Sequence, residues 1–248
     1  MVFGGSKRNI IKNSYIYRVY VLIKRSIHFI LRTVDNNYYK KRLTNIGKHV
    51  CIYNNIYLSH PENIYLDDYT RIQSGFKQIS NTGKIIIKKY SGIAQDCIFI
   101  TNSHIPTVGV PQYLLAPLHI NDIDQDIIVK EDVWIGARCI ILPNCEIGRG
   151  AIIGAGSVVT HSIPPYAVAA GSPAKIISSK FTIEEILAHE SKLYPVEERM
   201  SQEELINIFN RYFDNKKSIG TSFLSTQDEK RLNEEVDKLD MKVNLYNS

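Results

Sequence analysis

The sequence predicts a mainly β chain whose short parallel strands stack into triangular coils, with helices at both ends and one projecting loop. Three observations carry this: a six-residue aliphatic period in the second half, the same register followed upstream, and one stretch where the period vanishes. Reading every sixth residue from Val129 gives Val129, Ile135, Ile141, Ile147, Ile153 and Val159 without a miss. With about a quarter of residues being Val, Ile or Leu, chance yields such a run in one register about once in several thousand trials. Two residues before each later member stands a compact residue, Val133, Cys139, Cys145, Ala151 or Ser157, and Gly136, Gly148 and Gly154 follow three of them. Positions six apart rotate by about 600° on an α-helix, so no helix face collects them. Three hexapeptides instead form one coil of about 18 residues, coils stack about 4.8 Å apart through backbone hydrogen bonds, and the aliphatics fill a prism.

The elements follow in order. Residues 1–44 read as an N-terminal helical segment in which residues 7–32 hold seven Lys or Arg and no Asp or Glu beside Ile10, Ile16, Val19, Leu22, Ile23 and Ile30. That face either caps the first open coil or rests weakly on an anionic membrane surface. Residues 45–178 are the solenoid. Its register runs through Ile46, Ile52 and Leu58, then Leu66 and Ile72 after a two-residue insertion at His60-Pro61-Glu62-Asn63, then Ile87, Ile93 and Phe99. The loop is 101–126, with Pro106, Pro111 and Pro117 and no six-residue period. A loop that long inside a compact solenoid is usually functional. Residues 179–248 are a C-terminal helical extension: Thr182-Ile183-Glu184-Glu185 reads as a capping box, Ser201-Gln202-Glu203-Glu204 as a second helix start, and Leu232, Val236, Leu239, Val243 and Tyr246 as a short heptad seam.

Composition narrows the function. With 248 residues, 44% hydrophobic and 22% charged, the chain is neither disordered, collagen-like nor a disulfide-stapled module. A net charge of +5, with signs mixed along the chain, gives no argument for nucleic acid. Cys51, Cys97, Cys139 and Cys145 make no CxxC pair, which fits reduced thiols, no disulfide and no structural metal. Basic residues break the N-terminal apolar stretch, so neither a membrane span nor a signal-peptide core is expected. The protein is expected in the cytoplasm, with the inner membrane face as a secondary location through residues 7–32.

The string VWIGARCIILPNCEIGRGAIIGAGSVVTHSIPPYAVAAGSPAKII closely resembles the closing coils of the hexapeptide-repeat acyltransferases, the group of galactoside, maltose and xenobiotic acetyltransferases. The resemblance covers about residues 44–178 and implies a left-handed parallel β-helix, a homotrimer, acetyl-CoA held in a groove between subunits, and a catalytic histidine on an extended loop. In general shape the sequence looks most like members that O-acetylate sugars of surface polysaccharides.

The resemblance places the general base at His104, whose imidazole titrates near working pH and suits the removal of a hydroxyl proton. Spacing adds the cofactor groove. Residues 18 apart should stack, putting Gly136 beneath Gly154 and Ser172, and Ala137 beneath Ala155 and Pro173, two columns of tiny side chains that leave room for a pantetheine arm. The resemblance points to Ala137, Ala155 and Thr160 as cofactor contacts and to Lys175 as the partner of nucleotide phosphates. Asn102 and Trp134 are acceptor-side candidates; Trp134 sits one residue before a plug, so its indole points outward, and the resemblance puts it at the active-site wall, against a sugar, the acyl arm or a neighbouring subunit. His119, Asp122, Asp124 and Gln125 either shape the acceptor pocket or are a solvated loop.

The same solenoid hosts zinc-dependent carbonic anhydrases with three histidine ligands. Here His104 and His119 are fifteen residues apart and His28, His49, His60, His161 and His189 make no close pair, so no metal is expected. The expected function is acetyl-CoA-dependent O-acetyl transfer to a sugar hydroxyl. Its alternatives are acetylation of an amine or a xenobiotic such as an antibiotic, and a scaffold that has lost its chemistry.

Overall fold

The computed structural model describes residues 41–239 together with 19, 22, 23 and 241. The expectations for the segment before residue 41, including its membrane face, and for Val243 and Tyr246 lie outside the described residues.

Each coil contributes three short strands. They are β1 (Asn45–Ile46), β2 (Cys51–Ile52) and β3 (Tyr57–Leu58); β4 (Ile64–Leu66), β5 (Arg71–Ile72) and β6 (Lys77–Ile79); and β7 (Ile85–Ile87), β8 (Gly92–Ile93) and β9 (Ile98–Ile100). The loop follows, with β10 (Asn102–Ser103), α1 (Gln112–Leu118) and β11 (Ile123–Asp124). The coils resume with β12 (Ile127–Val129), β13 (Trp134–Ile135) and β14 (Ile140–Ile141), then β15 (Glu146–Ile147), β16 (Ile152–Ile153) and β17 (Val158–Val159). A hairpin of β18 (Ala167–Gly171) and β19 (Ala174–Ser179) ends the solenoid. The strands form three sheets that are the faces of a prism: face A is β1-β4-β7-β12-β15, face B is β2-β5-β8-β13-β16-β18-β19, and face C is β3-β6-β9-β14-β17. Apart from the antiparallel hairpin, all pairing within the faces is parallel, as a left-handed β-helix requires.

The period has the predicted physical cause. Val129, Ile135, Ile141, Ile147, Ile153 and Val159 are all fully buried, with Cys97, Cys139, Ala151 and Ser157 beside them. Their upstream counterparts Leu58, Leu66, Ile72, Ile87, Ile93 and Phe99 are buried too, and Phe76 meets Phe99 edge to face at 5.1 Å. Ile46 differs: it is 40% exposed. Among the described residues, no strand pairs with β1 on the side opposite β4. One plug is polar. Gln78, stacked between Leu58 and Phe99, is buried because its amide donates to the carbonyl of His60 and accepts from the His60 N–H.

The eighteen-residue repeat holds only between the coil that starts at β12 and the next one, where Val129 pairs with Ile147, Trp134 with Ile152 and Ile140 with Val158. Ile46 pairs with Leu66 and Leu66 with Ile87, so the early coils are longer. The last coil is shorter: Ile147 bridges Ile163, and Ile153 pairs with Ala169. The predicted columns therefore end differently. Ala170, not Ser172, lies above Gly154, and Gly171, not Pro173, follows Ala155. Each departure, the insertions near Pro61 and Ser80, the loop, and the deletion after Thr160, falls at the corner where face C turns into face A.

The corners use left-handed backbone, and at the A-to-B corner His49, Tyr69 and Tyr90 all have positive φ. Bulky residues tolerate this conformation poorly. Here the rings stack on one another at 4.9 and 5.6 Å, a contact that offsets part of the strain.

The C-terminal segment closes the open end of the last coil. α2 (Ile183–Leu193) begins with the predicted capping box, Thr182 accepting from the Glu185 N–H while Glu185 accepts from the Thr182 N–H. α3 (Gln202–Tyr212) starts on the Ser201 cap, and α4 (Thr226–Lys238) follows. Ile208, Phe209, Tyr212 and buried Phe213 pack on the solenoid core. A buried clasp fixes this layer: the fully buried Glu190 carboxylate accepts from Arg149 at 3.1 Å, from the Tyr166 hydroxyl at 2.7 Å and from the Met200 N–H at 3.0 Å. Arg149 also donates to Glu131 and lies over the Tyr194 ring. Among the described residues no helix is long and apolar enough to cross a membrane.

Replacing Glu190 by Ala would leave the buried Tyr166 hydroxyl without its acceptor and take from the largely buried Arg149 guanidinium one of its two carboxylates. It is expected to lower the unfolding free energy by about 3 to 5 kcal/mol in urea denaturation. A loss under about 1 kcal/mol, the range of an exposed ion pair, would show that the clasp does not hold the helical layer.

Candidate active site

The loop leaves the prism at the C-to-A corner on a short antiparallel neck, with Asn102 opposite Asp124 and Ser103 opposite Ile123. Because side chains alternate along strands, Asn102 and His104 share a face with Asp122 and Asp124. The neck is tied to the coils below it: Gln125 N–H donates to the Thr101 carbonyl, Thr82 to Asp124, and the Lys84 N–H to Asp126. Beyond the neck, α1 is anchored by fully buried Leu115 and ends at His119, whose left-handed backbone (φ 51°) turns the chain back.

This path brings His104 and His119 to one carboxylate. Nδ1 of His104 lies 2.8 Å from Oδ1 of Asp122, and Nδ1 of His119 lies 2.8 Å from Oδ2. The hydrogen bond from His119, opposed by partial burial and reinforced by that from His104, holds the Asp122 carboxyl below its usual range. The ionised carboxylate only accepts, so both Nδ1 atoms carry their protons. In the neutral ring, that leaves Nε2 of His104 with a free lone pair, and the ring is 41% exposed. Asp122 thus emerges as the orienting partner of His104. The signal was present in the sequence as matched alternations, Asn102-x-His104 and Asp122-x-Asp124.

The predicted groove residues fall into one row along the edge of face B. Gly136 is buried so close to the next coil that a Cβ on it would lie 2.6 Å from the Ala155 nitrogen, and a Cβ on Gly154 would touch that of Ala170. Ala137 and Ala155 border the row, and exposed Lys175, paired with Ala170, ends it. Thr160 does not join it. It lies at the C-to-A corner, where its hydroxyl contacts Nδ1 of His161 at 2.8 Å.

Trp134 projects from face B and is 44% exposed. Its indole lies over Gly92 one coil below, where a Cβ would come within 2.9 Å of Cε3 and Cζ3. Gly92 is therefore the platform that sets the indole's position, a role invisible without the register Trp134↔Gly92. In a triangular prism, face B is opposite the corner from which the loop departs. Within one chain, the corner from which the His104 loop departs therefore does not border the face that carries Trp134.

Comparison with known proteins agrees with this architecture. Residues 126–161 match the family described as bacterial transferase hexapeptide (six repeats). A chloramphenicol acetyltransferase of Klebsiella aerogenes is 48% identical over 59 residues, 24% of this chain and 28% of that protein. The chain thus spans under a third of the length of this relative and of two further chloramphenicol acetyltransferases that it matches. A Lysinibacillus sphaericus protein named "Probable macrolide acetyltransferase" is 35% identical over 133 residues, 48% of this chain and 71% of that one. Among solved structures, a maltose O-acetyltransferase from Clostridium difficile 630 superimposes with a TM-score of 0.52 at 27% identity, covering 58% of this chain and 73% of that one. A hexapeptide-repeat acetyltransferase of Vibrio cholerae, solved with acetyl-CoA, shares the fold with a TM-score of 0.53 at 24% identity, covering 58% and 75%. With the coils, the projecting loop and a relative matched over most of its length, the chain belongs to the hexapeptide-repeat acetyltransferases.

Proposed function

We propose that this protein transfers the acetyl group of acetyl-CoA to a hydroxyl of a sugar, such as a surface-polysaccharide precursor, with His104 as general base. The observation that carries the reading is the His104–Asp122 pair, a base whose Nδ1 proton is fixed by a carboxylate and whose Nε2 is free. Nε2 takes the proton of the acceptor hydroxyl as its oxygen attacks the thioester carbonyl. The tetrahedral intermediate collapses by breaking the C–S bond, and the imidazolium returns the proton to the departing thiolate, giving the acetyl ester and free CoA. Asp122 holds the ring and stabilises the imidazolium in between.

The donor fits the row of small residues. Gly136 lets the coils close tightly here, and Ala137, Gly154 and Ala155 leave the edge of face B smooth enough for a pantetheine arm to run along backbone groups, with Lys175 at its end for a phosphate. Thr160, at the other corner, would meet the same cofactor only at the far side of face C. The placement of the loop at a corner that does not border face B supports a closed homotrimer in which the loop of one chain faces face B of its neighbour, where Asn102 and Trp134 flank the acceptor. Exposed Val108, Tyr113, Leu114 and Leu118 on the loop would be covered in that assembly. We place the reaction in the cytoplasm, where the four free thiols stay reduced. The names of the relatives favour a second acceptor class, a hydroxyl of an antibiotic.

Thiol release from acetyl-CoA, measured across sugars, amines, chloramphenicol and macrolides, tests the reading: a sugar should raise the rate above hydrolysis. Acceleration by an antibiotic alone would replace the sugar, and no acceleration by any acceptor would favour a scaffold. His104→Ala should lower turnover about 10² to 10⁴-fold with acetyl-CoA affinity nearly unchanged, and near-full activity would remove His104 from the mechanism. Ala155→Trp should weaken acetyl-CoA binding in calorimetry while the oligomer persists, since this side chain is exposed. Unchanged affinity would put the cofactor elsewhere. In Gly92→Ala the methyl displaces the indole, so the emission of the single tryptophan should shift and kcat/KM for the acceptor fall several-fold at unchanged circular dichroism. An unmoved emission maximum would show that Gly92 does not set the ring.

A further inference from the structure

We propose that His104, His119 and Asp122 form a binding site for a first-row divalent ion of zinc's class, and that the bound ion switches acetyl transfer off. The spacing of fifteen residues between the histidines gave no sign of it. The loop closes that gap, placing the rings 6.0 Å apart and one donor atom from each of the three residues within 4.8 Å of the others.

The donor set suits such an ion. Two imidazole nitrogens and one carboxylate oxygen are borderline ligands that favour zinc, and three protein ligands with an open fourth position are the usual arrangement where water or substrate completes the sphere. Each Nδ1 now sits 2.8 Å from one carboxylate oxygen through an N–H. Bonds of about 2.0 to 2.2 Å to a shared ion put ligand atoms roughly 3.3 Å apart, so gathering the three takes a shift of about 1 Å. The site is largely built beforehand. His119 is fixed at the left-handed end of α1, with its N–H bonded into the helix, and the Asp122 side chain is only 6% exposed. Both rings are open to solvent, which provides the entry path.

The ion is a competitor and not a cofactor. A metal on Nδ1 of His104 displaces the proton from that nitrogen to Nε2, and a protonated Nε2 has no lone pair for the acceptor's proton. Ion binding stands on the geometry alone; the inhibition rests on His104 being the base.

The test uses the full chain without an affinity tag, stripped with a chelator. Calorimetric titration with zinc chloride should give one ion per chain at micromolar concentration, and cobalt(II) should develop the visible absorption of a four-coordinate nitrogen and oxygen site. His119→Gln and Asp122→Asn, checked for fold by circular dichroism, should each weaken zinc binding at least about tenfold. No saturable binding at micromolar ion, or binding unchanged by His119→Gln, overturns the site. In the transfer assay, zinc should inhibit with a midpoint matching its dissociation constant, reversed by chelator. Stoichiometric binding without inhibition overturns the switch and leaves the site. Full metal-free activity of His104→Ala instead overturns the base assignment, and calorimetry then still decides the site.

Discussion

Everything in this molecule depends on the in-register stacking of one coil on the next. Strands of two or three residues cannot stand alone, because each supplies too few hydrogen bonds to offset the entropy of fixing its backbone. They persist because each plug is enclosed by plugs above and below, and each backbone group in a strand pairs with the next coil. A buried Ile is worth about 1.5 to 3 kcal/mol against exposure, so a column of them holds strands that local propensity would not. The same rule exposes the ends. Ile46, in the first coil, is half open, while the last coil is closed by Phe213 and the helices that Glu190 clasps.

That constraint explains why variation gathers at one corner. Turning from face A to B, and from B to C, takes one hexapeptide step throughout, since any change would slip every plug above it out of register. The C-to-A corner escapes because a loop there can leave and return to the same strand position, as Phe99 and Ile141 do in pairing across the whole loop. The chain has therefore placed its insertion near Pro61, its insertion near Ser80, its loop and its final deletion at this one place. Chemistry that needs long side chains and irregular backbone has nowhere else to grow.

The parts of the fold legible in the sequence are those that repeat. The aliphatic period, the loop as its interruption, and the caps at Thr182 and Ser201 are local or periodic signals, and the structure has each of them. The column from Gly154 to Ser172 failed because two residues are lost after Val159, a change that leaves no mark in the hydrophobic pattern until Ile163 is seen bridging Ile147. The contact of Asp122 with His104, and of Gly92 with Trp134, depends on which positions oppose each other across strands, and such pairings are fixed by return points that sequence spacing alone does not give. Histidine spacing hid the closeness of His104 and His119 for the same reason. Fifteen residues of loop separate two rings that the neck and the left-handed turn at His119 bring together.

If His104 is the base, as proposed, the loop must meet two opposing demands. A base that works near neutral pH has to stay wet enough to exchange protons, and yet its ring must be held to well under an ångström for proton transfer. Burial would fix the ring but desolvate its charged form. The loop instead leaves both rings half open and spends its burial on Leu115 and on the Asp122 carboxylate, so that rigidity reaches His104 through a hydrogen bond and not through packing. A carboxylate shared between two open imidazoles is also what a divalent ion seeks. On the two proposals together, the arrangement that would orient the base without burying it is the one that would leave it open to capture by a metal.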